Sequence, residues 1–299
     1  MGLSLLLAAT GASGSYWVSD ILDADAQCRV VRTDGAVAIQ QLMLLQSGDT
    51  IVIDDPRARI TIVNEQNEYL TLTIDNTPFV VPESDAAPRL LVNVRNWVAS
   101  WWNTRGNQST STMAAVSKGG LTPQILVAGS RYNLLLSGTR VLQVAWSGGI
   151  EPFDVSLTTE AGELLSHRAG VTGNLLRLPE VSLQDGQLRL RVAAGDAAST
   201  VGLTVVGREA LPAVAAAIMD LEVPDEIQFG HLAMVLSAYG QWRFEALQLA
   251  DEHGLTQLAL ELLAGNHPES APGFEDAMNG VGDPAARPAA DTTEHDGQQ

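Results

Sequence analysis

Short apolar strands broken by Gly, Asp and Pro turns recur along most of this chain, and that rhythm constrains the fold more than any other feature. Residues 28–32 read Cys-Arg-Val-Val-Arg, a strand, and Thr33-Asp34-Gly35 is a hairpin turn with the Asp-Gly signature. The strand resumes over 36–39, followed by 43–45, the turn Ser47-Gly48-Asp49 and a strand over 50–53. Asp54-Asp55-Pro56 turns the chain again. Ala58, Ile60 and Ile62 then alternate with Arg59, Thr61 and Val63, the period of a half-buried strand, and residues 69–74 alternate likewise. Turn signals spaced roughly 8 to 12 residues apart predict a β barrel or sandwich over 28–82. A second block, 123–207, holds about seven or eight further strands and fits an immunoglobulin-like sandwich, with Trp146 filling the core from a central strand. The cysteine pair of true immunoglobulin domains is absent, since Cys28 is the chain's one cysteine.

Helical periodicity enters in two places. Residues 82–88 read as a linker, and 88–104 as a helix opened by Pro88. Leu90, Val94, Trp97 and Trp101 recur at helical steps, with Leu91, Val98 and Trp102 beside them. That face is expected to pack on a β domain. Trp97, Trp101 and Trp102 are also the candidates for an exposed aromatic platform. Residues 105–122 form a polar linker, rich in Ser and Thr. After the second β block, 208–265 turns helical. Asp225 and Glu226 sit in a first turn, where the helix dipole favours acids, and Gly254 is placed as a C′ glycine. Leu232, Val235 and Leu236 line one helix, and Trp242, Ala246 and Leu249 line the next, predicting an antiparallel packed pair. Gly240 lies at their junction, where a Cβ is expected to hold the helices apart. Trp242 and Leu249 join the candidate interaction residues. The tail 266–299 holds seven acids against Arg287 and reads as a disordered acidic segment.

The strand cadence carries a resemblance. Arg29-Val30-Val31-Arg32-Thr33-Asp34-Gly35, then Leu44-Leu45-Gln46-Ser47-Gly48-Asp49-Thr50-Ile51, then an alternating strand, resembles the FecR-type β domain. The match covers about 55 of 299 residues. Its physical content is a glycine, Gly48, that takes a tight turn, and an aspartate, Asp49, that bonds nearby amides. The resemblance implies a bacterial protein of the cell envelope. FecR sensors carry an anti-sigma segment and a membrane span ahead of this domain, and neither pattern precedes residue 28 here, so the anti-sigma role is not carried over. The run from Tyr239 to Leu247 looks like the junction of a tetratricopeptide hairpin, with one such unit visible.

Charge excludes two partner classes. Asp plus Glu number 35 against 17 Lys plus Arg, a net charge of −18, which repels nucleic acid and anionic membrane surfaces. No segment approaches the roughly 20 apolar residues of a membrane span. Residues 1–27 hold a short apolar run, 3–9, with no Lys or Arg before Arg29. Two readings stand for them: a weak signal peptide, or an N-terminal segment that packs Leu5, Tyr16, Trp17 and Ile21 on a neighbouring surface.

No spacing for phosphate, dinucleotide or zinc chemistry occurs. Asp251-Glu252-His253 reads as a solvated helix end, Cys28 as a strand thiol, and Asp54-Asp55 as turn solvation. The expectation is a mainly β protein with C-terminal antiparallel helices: a FecR-like domain, an immunoglobulin-like sandwich and a helical module. Its expected role is non-catalytic, a protein-interaction or signal-relay scaffold, periplasmic or envelope-associated, without cofactor or metal. The alternative is a carbohydrate-binding module or hydrolase that uses the tryptophan platform.

Overall fold

The computed structural model describes residues 15–22, 28–82, 90, 93–94, 120–128 and 133–265. The N-terminal unit contains β1 (Tyr16–Leu22), β2 (Cys28–Arg32), β3 (Gly35–Ala38), β4 (Leu44–Leu45), β5 (Thr50–Ile53), β6 (Arg59–Asn64), β7 (Tyr69–Leu72) and β8 (Phe79–Val80). They form two four-stranded sheets, ordered β4-β1-β6-β7 and β3-β2-β5-β8. Val18, Ile60, Ile62 and Leu45 from the first sheet meet Val30, Ile51 and Ile53 from the second in one core.

The first sheet is buried on both faces. Neighbouring residues on a strand point to opposite sides. Val18, Leu45 and Ile62 therefore enter this core, while Trp17, Leu44 and Val63 enter a different one formed with the C-terminal helices. Strands covered on both sides need consecutive apolar residues, which is what Trp17-Val18, Leu44-Leu45 and Ile62-Val63 supply. This corrects the N-terminal boundary. The unit starts by Ser15 rather than at residue 28, and β1 is a central strand with Trp17 fully buried.

The second unit contains β9 (Gln124–Ile125), β10 (Asn133–Leu136), β11 (Gly138–Arg140), β12 (Gln143–Ser147), β13 (Phe153–Thr159), β14 (Leu164–Val171), β15 (Leu175–Arg177), β16 (Val181–Leu183), β17 (Gly186–Ala194) and β18 (Ala197–Val206). A five-stranded sheet, β10-β18-β17-β13-β14, packs on the sheet β15-β12-β9 and the pair β11-β16. Its β10 runs parallel to β18, the remaining neighbours antiparallel. Trp146 sits on β12, central in its sheet, as expected. Its ring meets Phe153 edge-to-face at 5.2 Å in the sandwich core.

Four helices follow: α1 (Ala213–Met219), α2 (Asp225–Ser237), α3 (Arg243–Glu252) and α4 (Thr256–Leu263). Gln228 of α2 donates to the carbonyls of Ile218, Met219 and Leu221, satisfying groups that the end of α1 leaves open. Helix α2 is buried around its whole circumference between Gly230 and Ser237, the mark of an internal helix. One side meets Trp17 and Leu42 of the N-terminal unit, and the helical core also takes in Leu134, Leu136 and Val206 of the sandwich. Val94 is buried in that core as well, and Leu90 packs on it. The helices are thus a shared middle layer, not a docking appendage that could be deleted with both β units left intact. No helix among the described residues is long and apolar enough to cross a membrane.

The expected close approach lies elsewhere along the chain. A Cβ at Gly240 would meet nothing within 4 Å, whereas one at Gly230, inside α2, would come within 2.7 Å of both Leu42 methyls. Gly230 is the residue that lets the N-terminal unit touch the helix backbone. Gly254 does end α3, with φ of 68°.

Candidate functional site

Where β1 meets the helices, its regular pairing fails. The register against β6 shifts by one residue between Val18 and Asp20, a bulge at Ser19, and the pairing resumes through Leu22. The backbone of Val18 and Ser19 is also bonded by the segment 40–43. Leu42 N–H donates to Val18 O at 2.7 Å, Val18 N–H to Met43 O at 2.9 Å, and Gln41 Nε2 to Ser19 O at 2.8 Å. Leu42 is held at φ of 64°, a left-handed conformation costly for a branched side chain. The strain is offset because its side chain then reaches the bare backbone at Gly230. Beside it, Glu226 in the first turn of α2 accepts hydrogen bonds from Ser19 Oγ, at 2.5 Å, and from the Tyr69 hydroxyl.

This seam leaves a cleft of about 520 Å³. One wall is residues 20–22 and 39–42, and the other is Met234 with Gly254, Leu255, Thr256 and Leu258. Ile21, Leu22, Ile39, Leu42, Met234, Leu255 and Leu258 make it apolar, while Gln40, Gln41, Thr256 and Asp20 give it polar points. Asp20 is the one ionisable group in that lining. An apolar lining with a few polar points suits binding of an apolar segment with few oriented polar contacts.

A second polar cluster is structural. The α3 residues Glu245, Gln248, Asp251 and Glu252 share one side of the helix at steps of three and four. Asp251 and Glu252 read from sequence as part of a solvated helix end, but here this side of the helix docks on the sandwich. Glu245 is wholly buried, accepting from Arg140 NH1 at 2.7 Å and from Leu136 N–H at 3.2 Å. Burial pushes its carboxyl up from the usual range, against the pull of Arg140. Gln248 accepts from Gln143 N–H at 2.7 Å and donates to Gln143 O at 3.1 Å, pairing with β12 like an extra strand residue. Asp251 pairs with Arg177 at 2.5 Å and Glu252 with Arg140 at 3.2 Å. His253 stacks on Phe229 at 4.3 Å, and its burial lowers its pKa against the acids Glu252, Asp225 and Glu226. Asp251, Glu252 and His253 therefore diverge to three partners. His231, inside α2, donates from Nδ1 to Ile227 O at 2.7 Å, and burial pushes its pKa down to about 4.

The interaction residues expected from sequence do not gather at the cleft. Trp242 and Leu249 are 1 % and 4 % exposed and fill the helical core, so neither presents a surface to a partner. Helical spacing marked their buried face correctly, and burial consumes them. Trp97, Trp101 and Trp102 lie outside the described residues, as do 1–14 and the tail 266–299. The other three tryptophans, Trp17, Trp146 and Trp242, are core residues and form no exposed platform. Cys28 is half-buried at the start of β2 against the N-terminal core. Asp54 pairs with Arg29, and Asp55 with Arg57, whose hydrogen bonds hold the Asp55 carboxyl below its usual range. Asp49 is buried, accepting from Arg32 at 3.0 Å and from Gln46 N–H at 2.8 Å, with Gly48 at φ of 83° before it. The Gly-Asp turn thus does what its sequence predicts. The cleft residues carried no local signal, because they come from four separate stretches of chain.

Comparison with family models and with curated proteins returned no match. Among solved structures, the chain is similar to a chain of the Dpr1 IG1–DIP-eta IG1 complex at 11 % identity and TM-score 0.20, covering 29 % of this chain and 97 % of that one. Domains 4 and 5 of the S-layer protein SbsC match at 12 % identity and TM-score 0.21, covering 66 % and 74 %. The BSP domain of a biofilm associated protein matches at 9 % identity and TM-score 0.23, covering 55 % and 28 %. Scores of this size carry no argument about role.

Proposed function

We propose that this chain is a non-catalytic protein-interaction or signal-relay scaffold of the bacterial cell envelope, gripping its partner in the cleft between the N-terminal unit and the helices. The observation that carries the reading is the lining: apolar side chains on both walls, a few polar points, and one carboxylate. The FecR-type cadence of 28–82 supports the envelope location. The shared helical layer supports a relay, because a partner pressing on residues 254–258 bears on the element that joins both β units.

A position-specific photocrosslinking experiment tests this. A benzoylphenylalanine placed at Leu22, a 55 % exposed residue of the cleft rim, is compared with one at Leu164, exposed on the far sandwich edge. In cells that make the protein, a discrete adduct is expected at Leu22 and none of that size at Leu164. Equal adducts at both positions, or none at Leu22, would overturn the reading.

A further inference from the structure

Resting on that reading of the cleft, we infer that the partner enters as an extended, basic segment that adds a strand to β3 and lays alternate apolar side chains into the cleft. Strand β3 is the outer strand of its sheet, and all four of its residues are exposed. Its sequence Gly-Ala-Val-Ala has no charge and no proline, and its pairing with β2 has no register shift. Natural edge strands are normally blunted by just those devices.

Of the other edges of the four- and five-stranded sheets, all but β7 are protected. Strand β14 carries His167 and Arg168 and two register irregularities. The open side of β10 is covered by α3, whose Glu245 takes the Leu136 N–H. Strands β4 and β8 are two residues long; β7 is a regular, uncharged edge like β3, but its residues neither line nor lead into the cleft.

The edge also selects the conformation of the occupant. Alternate residues of β3 turn N–H and C=O outward, and a row of such groups is satisfied by another extended backbone rather than by a helix, whose groups are already paired. Strand β3 runs directly into residues 39–42, which are one wall of the cleft. The lining begins at Ile39, so the part of an added strand that extends beyond Ala38 reaches the cleft, its alternate side chains about 7 Å apart. Charge selects the composition. Asp20 is exposed and has no ion pair among the described residues. With a net charge of −18, the chain repels an acidic segment or a second copy of itself and attracts one bearing Lys or Arg.

The test uses the full chain and a labelled peptide of alternating Val and Thr flanked by Lys, read by fluorescence anisotropy at low salt. Saturable one-to-one binding is expected. A version N-methylated at alternate amides, and one with Glu in place of Lys, should each bind about tenfold more weakly or worse. Asp20→Asn should weaken the Lys peptide about threefold without moving the thermal midpoint, and the pair Ala36→Lys, Ala38→Lys should weaken it at least about tenfold. No binding at about 1 mM peptide, equal binding of the N-methylated version, or unchanged binding to both variants overturns the inference. A Leu22 photo-adduct that survives the Ala36→Lys, Ala38→Lys pair refutes strand addition while leaving the cleft reading intact. Loss of the wild-type Leu22 adduct would instead remove the cleft reading itself.

Discussion

Replacing Arg140 by Met should make the protein's stability strongly dependent on pH. Among the described residues, Arg140 supplies the one cation that faces Glu245, whose side chain is fully buried, and the Leu136 N–H at 3.2 Å is the remaining donor to that carboxylate. The second bond of Arg140, to half-exposed Glu252 at 3.2 Å, contributes about 1 kcal/mol at most. Stranding a buried carboxylate costs roughly 3–5 kcal/mol. The carboxyl escapes part of that cost by taking a proton. Holding a proton at pH 7 on a group whose ordinary pKa is 4.5 costs about 3 kcal/mol, so the penalty at neutral pH is capped near that value. The folded pKa lies above the unfolded one. Folding therefore takes up a proton, and the variant should recover about 1.4 kcal/mol for each pH unit descended toward 4.5. Urea unfolding followed by tryptophan fluorescence at pH 7 and pH 5, for wild type and Arg140→Met, isolates the effect, because other titrating groups cancel in the difference. Adding Glu245→Gln should restore most of the loss. A cost below about 1 kcal/mol at pH 7, or the same cost at both pH values, would refute the buried-pair argument.

Other outcomes follow from the same packing. His231 has a folded pKa of about 4 against 6.5 unfolded, so the unfolded chain binds the extra proton; stability is complete above pH 6.5 and falls by roughly 3 kcal/mol by pH 4, a slope that His231→Gln should flatten in urea titrations. Gly230→Ala gains up to about 1 kcal/mol of helix propensity but forces a Cβ to 2.7 Å from the Leu42 methyls, with a net loss of about 1 kcal/mol, whereas Gly240→Ala should be neutral within about 0.5 kcal/mol by denaturant midpoint. Asp49→Ala removes the partner of Arg32 and of the Gln46 N–H, and should lower stability by about 2–3 kcal/mol in the same assay.

Local patterns in the sequence held up where the structure is local. The hairpin from Cys28 to Ala38, the Gly48-Asp49 turn and the helix ending at Gly254 depend on a few adjacent residues, and those residues announce them. Strand β1 was hidden because its bulge between Val18 and Asp20 breaks the period of two within seven residues. The fully buried helix α2 was read as one-sided, since Leu232, Val235 and Leu236 mark a face whether or not the opposite side is also covered. Asp251 and Glu252 read as a solvated helix end because paired and hydrated acids look alike in sequence, and their arginine partners lie over 70 residues away. Gly230 and Gly240 are indistinguishable as letters; what separates them is Leu42, which no local window contains. The cleft shares that fate, since its walls come from opposite ends of the chain.

The bond from Ser19 to Glu226 spans 207 positions in the sequence. During synthesis, β1 leaves the ribosome long before the helix that covers its second face. Until α2 emerges, Trp17, Leu44 and Val63 remain open to water, and the earliest part of the protein waits on nearly the latest. Contacts of such separation slow folding and lengthen the life of sticky intermediates. A nascent chain halted before residue 225 should therefore be a substrate for holding chaperones, and release should coincide with the appearance of α2 and α3.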